Sequence, residues 1–403
     1  MRHLKIFVIA VSFIQAGDDL RAERRYVVGT EVSFVMGGSN RAPVGGGNTL
    51  LQTGFSYFNG VYPSITFTSA GSKSSFLMNY SCGLYRSNTD LDIDSASHGM
   101  NAGFTFRPTK NLRLGFSDSF DISPDFTTSY ALRGILFVDR SFRYLFDPIA
   151  ERRLSYTNNA SGSIEYQLNR KSSISFDFSH SYRDYGRNPY FRDILVDQQR
   201  ITGSASFRRN LKKHRSLSLQ YSVSTLHFSS FEDALTHGVR FGYSYHLSPT
   251  LSLTFGGGPT YTVGLNTDRG YYNYSAEATL SKSVWEKNRL FASYGHQGGD
   301  TSGIGSTADI DQASVGFAKP LGRKVSTSVQ VSLFNGRQRL DNPGSIRGYT
   351  SSGIISVAID RRWSLSLGGT YARHEHTLLL NAQERRAFAS LGFHLPELWK
   401  FTR

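Results

Sequence analysis

Residues 216–224 read Ser-Leu-Ser-Leu-Gln-Tyr-Ser-Val-Ser, so Leu217, Leu219, Tyr221 and Val223 alternate with Ser216, Ser218, Gln220, Ser222 and Ser224. Successive side chains on a β-strand point to opposite faces, which makes one face of this stretch oily and the other wet. The beat recurs in Ile174, Phe176 and Phe178 against Ser173, Ser175 and Asp177. It returns in Trp363, Leu365 and Leu367 against Ser364, Ser366 and Gly368. A sandwich tolerates such strands. A transmembrane barrel requires them, because its outside meets lipid and its interior meets water.

The 403 residues keep one texture after about Thr49, with no Pro-rich or charged linker, and are read as one continuous domain. A hydrophobic share of 39% with 39 glycines is low for a helical membrane protein and suits a wall that is half wetted. Near the start, Arg2, His3 and Lys5 precede an apolar run over residues 6–14, with small residues at Ala16 and Ala22. This is the layout of a secretory signal peptide, here residues 1–22 with cleavage after Ala16 or Ala22. The run is too short to span a bilayer as a helix. Cys82 is the single cysteine, so the chain can form no internal disulfide; its parity puts it with Phe76, Met78, Tyr80 and Leu84 on one face as a small wall residue.

Short turn signals fall at residues 70–73, 108–111, 169–171, 210–215, 248–250, 285–288, 320–323 and 360–362. Longer connections lie between them, at 86–97, 120–157, 184–195, 228–234, 297–308, 336–345 and 374–384. Short turns alternating with long loops are the mark of antiparallel strands running up and down a membrane. The expected fold is all-β, a single antiparallel transmembrane β-barrel over residues 49–395, of about 18 strands, or 16, with short periplasmic turns and longer extracellular loops. The first strands are expected at 49–58 and 62–69. Residues 23–48 are expected to form an N-terminal periplasmic arm or to add a strand, hinged at the Gly-rich 44–48, and residues 396–403 form a C-terminal tail.

With that architecture the chain resembles the Gram-negative outer-membrane β-barrel superfamily, and more narrowly its porin-like members. The resemblance covers nearly everything after the signal peptide. It implies residence in the bacterial outer membrane, a lipid bilayer as surroundings, delivery by the barrel-assembly machinery, and contact with lipopolysaccharide or an anionic polysaccharide.

A net charge of +14 invites a nucleic-acid reading, but the location of the charge argues against one. In or beside the eight short turns lie eighteen lysines and arginines, opposed only by Glu286 and Asp360. On a barrel they form a cationic ring at the periplasmic mouth, either snorkelling toward headgroups or drawing anions to a pore. Aromatic residues lie on the strand faces that lipid would cover, where they offer no stacking platform for bases. No nucleic acid is expected.

Parity also assigns a lumen. Arg113, Glu165, Asp177, Arg200, Arg240 and Glu277 share faces with Ser, Thr, Gly and Gln, with Gln220, Ser326, Ser328 and Gln330 completing the wall. Three bases against three acids imply weak selectivity, or cross-strand braces. The longest loop, 120–157, carries Arg133, Arg140, Arg143, Asp139 and Asp147 among aromatic residues, and would either fold inward as a constriction or lie outside as a flap.

Other motifs carry less. Asp90, Asp92 and Asp94 resemble the opening of a calcium loop, but Ser95 replaces the turn glycine and Asn101 the bidentate Glu. His374, Glu375 and His376 are spaced as on a strand, which suits chelation poorly. Gly256, Gly257 and Gly258 precede Pro259 inside a strand, where they bend the wall or relieve crowding. No nucleophile is singled out with its base, so neither catalysis nor a metal or other cofactor is expected. The reading is a passive porin-like channel for small polar or anionic solutes. Its rivals are an export partner for an exopolysaccharide or other anionic polymer, a structural or adhesive barrel plugged by loop 120–157, and a soluble sandwich or solenoid.

Overall fold

The alternating segments form eighteen strands in a computed structural model that describes residues 25–43, 54–87, 95–123, 155–185, 197–212, 214–229, 232–267, 269–284, 288–300, 307–338, 345–376 and 382–402. The first six are β1 (Arg25–Pro43), β2 (Gly54–Ala70), β3 (Ser74–Ser87), β4 (Ser95–Phe106), β5 (Leu112–Ser123) and β6 (Ser155–Asn169). Next come β7 (Ser172–Tyr185), β8 (Gln198–Lys212), β9 (Arg215–Phe228), β10 (Ala234–Ser248), β11 (Leu251–Gly264) and β12 (Gly270–Val284). The last are β13 (Asn288–Asp300), β14 (Thr307–Pro320), β15 (Val325–Gln338), β16 (Ser345–Ala358), β17 (Trp363–His376) and β18 (Ala382–Thr402). Each pairs antiparallel with its neighbour in sequence, and β1 pairs with β18, so the sheet closes on itself. Closure removes every edge, which rules out the open sandwich.

The register puts Leu217, Leu219 and Tyr221 on the outer surface, each more than 40% exposed, beside outward Phe207 and Phe241. Inward lie hydroxyls that bond across strands: Ser117 to Ser161 at 2.7 Å, Ser175 to Ser206 at 2.8 Å and Thr236 to Thr262 at 3.0 Å. Exposed outward aromatics mark two levels. Tyr57, Tyr182, Tyr272 and Tyr349 stand high, and Tyr166, Trp363 and Trp399 stand near the short turns. Such rings girdle a membrane barrel at its two interfaces. By the same convention the short turns are periplasmic.

All eight short turns fall where the sequence places them. In the turn after β14, Gly322 adopts φ +131°, a conformation that a side chain would strain. In the turn after β16, Asp360 accepts the backbone N–H groups of Arg362 at 2.6 Å and Trp363 at 2.8 Å. Those two amides hold its carboxyl below the ordinary 3.8. A depressed carboxylate supports the fold at neutral pH and loses that support as pH falls through its folded value, below about pH 4. Amide-exchange protection at Arg362 and Trp363 is therefore expected to drop on acidification toward the level of Asp360→Ala, which itself stays flat.

Three expectations are corrected. Of the arm and the added strand expected over residues 23–48, residues 25–43 form the strand, and its outward Val28, Val32, Phe34 and Met36 keep the two-residue beat; glycines at 29, 37 and 38 obscure it in sequence. The strands expected at 49–58 and 62–69 are one, β2, running through Asn59-Gly60 and Pro63. Proline lacks an N–H, and the ladder to β3 skips Tyr62 and Pro63 while the ladder to β1 continues. Finally, residues 396–402 are no tail. They extend β18 along β1 to Arg25 opposite Thr402, with Pro396 absorbed where the register shifts between Val28 and Thr30. The total of eighteen survives because one strand is gained and one lost.

Candidate channel lumen

All six charged residues assigned to the lumen by parity lie on its inner face. Arg113 on β5 stands directly opposite Glu165 on β6. Asp177 on β7 accepts the Ser175 hydroxyl at 3.0 Å. Arg240 on β10 makes an ion pair with Glu277 on β12, reaching across the intervening strand. Gly256 of β11 leaves room for that crossing: a Cβ there would stand 2.9 Å from the Phe241 carbonyl oxygen and 3.1 Å from Arg240 Nε. The glycine run read in sequence as relieving crowding thus provides the trough in which one arginine lies.

A cavity of about 550 Å³ opens on the β5–β13 side of the lumen. Hydroxyls and amides line most of it, including Ser181, Thr202, Gln220 and Thr262, together with Arg183, Arg200 and Arg240. No carboxylate is among its lining residues. Counting residues up each strand at ~3.3 Å with a tilt of ~40°, Arg183 and Arg200 lie ~30 Å above the periplasmic ends, Arg240 ~20 Å and Arg113 only a few Å. Guanidinium groups are therefore staggered down one wall; Arg240 has Glu277 as its ion-pair partner, Arg113 has Glu165 opposite it, and Asp121 lies level with Arg183 across Thr157.

Arg183 was missed by the sequence reading. It ends the inward series Ser173, Ser175, Asp177, Ser179, Ser181, and carrying the parity two residues further would have found it. Also unforeseen are inward rings: Tyr62, Phe334 and Phe388 lie flat over Gly83, Gly348 and Gly368 of neighbouring strands, where an added Cβ would meet ring carbons at 2.5, 2.7 and 2.5 Å. A ring facing a glycine covers wall without narrowing the passage.

The constriction candidates Arg133, Arg140, Arg143, Asp139 and Asp147 lie outside the described residues, as do the signal peptide and Asp90, Asp92 and Asp94. The connection that holds those candidates, 124–154, is the third on the extracellular side. Glu375 is taken up by arginines: Arg347 at 2.6 Å and Arg373 at 2.8 Å. The side chains of His374 and His376 fall outside the described set.

No family model and no curated protein matches the sequence. Solved structures do. Pseudomonas aeruginosa OpdQ aligns over 93% of this chain and 98% of its own, with 11% identity and a TM-score of 0.50. Pseudomonas aeruginosa OpdO aligns over 93% and 98%, with 13% identity and a TM-score of 0.49. The outer membrane protein OpdK of the same species aligns over 91% and 99%, with 9% identity and a TM-score of 0.45. At such identity the likeness is one of fold. By that fold, with an apolar girdle around a polar interior, the chain is a closed 18-stranded antiparallel β-barrel of the same architecture as OpdQ.

Proposed function

We propose that the barrel is a passive channel for small polar solutes with a preference for anions. The observation that carries this reading is the arginine-lined cavity, whose wall holds Arg183, Arg200 and Arg240 among hydroxyls and no carboxylate. Fixed positive charge on a low-dielectric wall concentrates counter-ions, and hydroxyls replace part of a solute's hydration shell as it passes. The sequence balance of three bases to three acids implied near-neutral selectivity. Arg240 and Glu277 neutralise each other and Arg113 stands opposite Glu165, so the preference rests on Arg183 and Arg200 in the cavity wall, with Asp177 lower and outside it.

Reversal potentials across a planar bilayer under a salt gradient test the proposal. The native protein is expected to favour anions, and the triple variant R183Q/R200Q/R240Q to lose about tenfold in the anion-to-cation permeability ratio, equivalent to ~1.4 kcal/mol. Neutralising the periplasmic turn residues Lys324, Arg361 and Arg362 is expected to change the ratio little. Cation preference in the native protein, or loss of selectivity only with the turn variant, overturns the assignment. A native barrel that conducts nothing until residues 124–154 are removed supports the plugged-barrel rival.

A further inference from the structure

One seam of the closed sheet is laddered over only part of its height. β12 and β13 pair from Val284 and Asn288 at the periplasmic end up to Ala276 and His296, and there the bridges stop. Both strands run on: residues 270–275 stay paired with β11, and residues 297–300 with β14. Interruptions elsewhere among the described ladders, as at Tyr62-Pro63 and at Val239-Arg240, close again. This one does not. His296 lies eight residues above the foot of β13. The split therefore begins ~20 Å up, inside an apolar band ~25 Å tall, and rises past its upper edge. Backbone N–H and C=O groups without a ladder partner are costly against hydrocarbon, and at that depth are tolerated where they line a water-filled cavity.

The lumen cavity reaches this split. Tyr271 and Ser275 of β12 and Gln297 and Gly298 of β13, on its two lips, are among the residues lining that cavity. Gly298 shares strand parity with the outward Leu290 and Tyr294, yet it is reached from the lumen. Asn273 shows the converse. It shares parity with the inward Ser275 and Glu277, yet its amide donates to Asp309 of β14, and its Oδ1 lies 3.2 Å from Nε2 of His296, both on the outward face. One side chain thus passes through the wall, which an unbroken ladder would not allow. Outside, the exposed ring of Tyr274 lies over His296 with centroids 4.1 Å apart and planes 16° apart, leaving His296 only 7% exposed. His296 Nδ1 and the Tyr294 hydroxyl meet the same oxygen of Asp311, at 2.8 and 2.9 Å. Side chains stopper the split where the backbone leaves it open.

We propose that this split is a lateral portal between the cavity and the outer leaflet, stoppered by Asn273, Tyr274 and His296, and that its cargo is a small uncharged aromatic bearing hydroxyl groups. The stopper opens by side-chain rotation, without breaking a strand pair. Charge selects the cargo. On the outer side Asp309 and Asp311 stand against Arg337, one acid in excess, while the cavity wall on the inner side is cationic. An ion of either sign meets its own sign at one end, and an uncharged solute at neither. Rings frame both lips, Tyr261, Tyr272 and Tyr274 outside and Tyr271 inside, and offer flat apolar faces. Asn273, Ser275 and Gln297 offer donors and acceptors to hydroxyl groups. The portal is a second entrance to the cavity of the channel reading, and rests on that reading only for the cavity's charge.

Photolabelling in lipid vesicles tests this with a bilayer-dissolved aryl-diazirine benzyl alcohol and with its sulfonate and trimethylammonium analogues. Mass spectrometry reads the ratio of label on inward Tyr271, Ser275 and Gln297 to label on outward Tyr294. The alcohol is expected to label the inward set, and each charged analogue to give a ratio at least tenfold lower. Gly298→Trp fills the split from a position where an added Cβ meets nothing within 4 Å, and is expected to cut the alcohol's ratio at least tenfold. N273A/Y274A is expected to raise it. A disulfide between the lips, S275C/Q297C in a C82S background, closes the split independently and is expected to act as Gly298→Trp does. Its twin across the intact ladder, S293C/S314C, is expected to change nothing. Heat-modifiable migration certifies that each variant is folded. Equal ratios in native and closed proteins overturn the portal, as does an equal ratio for either charged analogue. Reversal potentials on the same samples keep the two readings apart: absent anion preference would sink the channel reading, while labelling that closure abolishes would still support the portal.

Discussion

A chain lacking residues 25–43 is expected never to reach the folded, heat-modifiable state, whatever detergent or bilayer is offered. β1 is held by β18 on one side and by β2 on the other along nearly its whole length. Without it, β2 and β18 become facing edges whose backbone N–H and C=O groups have no partner in hydrocarbon, each costing several kcal/mol. They cannot heal the gap by pairing as their neighbours do. Both run from the extracellular to the periplasmic end, so they lie parallel, whereas every other pair in this sheet is antiparallel. Refolding the deletion variant and comparing heated with unheated migration on a gel decides the matter. A normal folded band with native conductance would return these residues to the role of a periplasmic arm.

The second large effect is a charge placed on the lipid side. Leu219 points outward from β9, 43% exposed, some four residues and so ~10 Å above the periplasmic end, close to the bilayer midplane. Leu219→Arg is expected to destabilise the barrel by ~2–4 kcal/mol, read as a shift in urea unfolding in lipid vesicles. Phe178→Arg, two strands away on β7, should cost a similar amount, and the two effects should add because the sites share no partner. The neighbouring Ser218→Arg points into the lumen and should leave stability nearly unchanged while altering conductance. If Ser218→Arg proved the more damaging, the oily and wet faces would have been assigned the wrong way round.

These two experiments probe different depths of information in the chain. The face on which Leu219, Phe178, Asp177 or Arg200 lies was legible from sequence, because the side-chain direction at each position follows from its neighbours one and two residues away. The short turns were legible for the same reason. Failures came where local pattern was interrupted. Gly29, Gly37 and Gly38 hid β1, and Asn59-Gly60 with Pro63 cut β2 in two, because a glycine or proline ends a pattern without necessarily ending a strand. Inward rings such as Phe334 and Phe388 broke the expected polar lumen, since each is tolerated only by a glycine on the adjacent strand, far away in sequence.

By itself, then, the amino-acid order determined that this chain makes amphipathic strands joined by alternating short and long links, and which residues face water within them. Only the closed sheet decided that Arg25 meets Thr402, that Arg240 crosses Gly256 to reach Glu277, and that Asn273 passes between β12 and β13 to reach His296. The division has a plain cause: side-chain direction repeats every two residues along one strand, whereas register and closure depend on hydrogen bonds between segments that can be hundreds of residues apart.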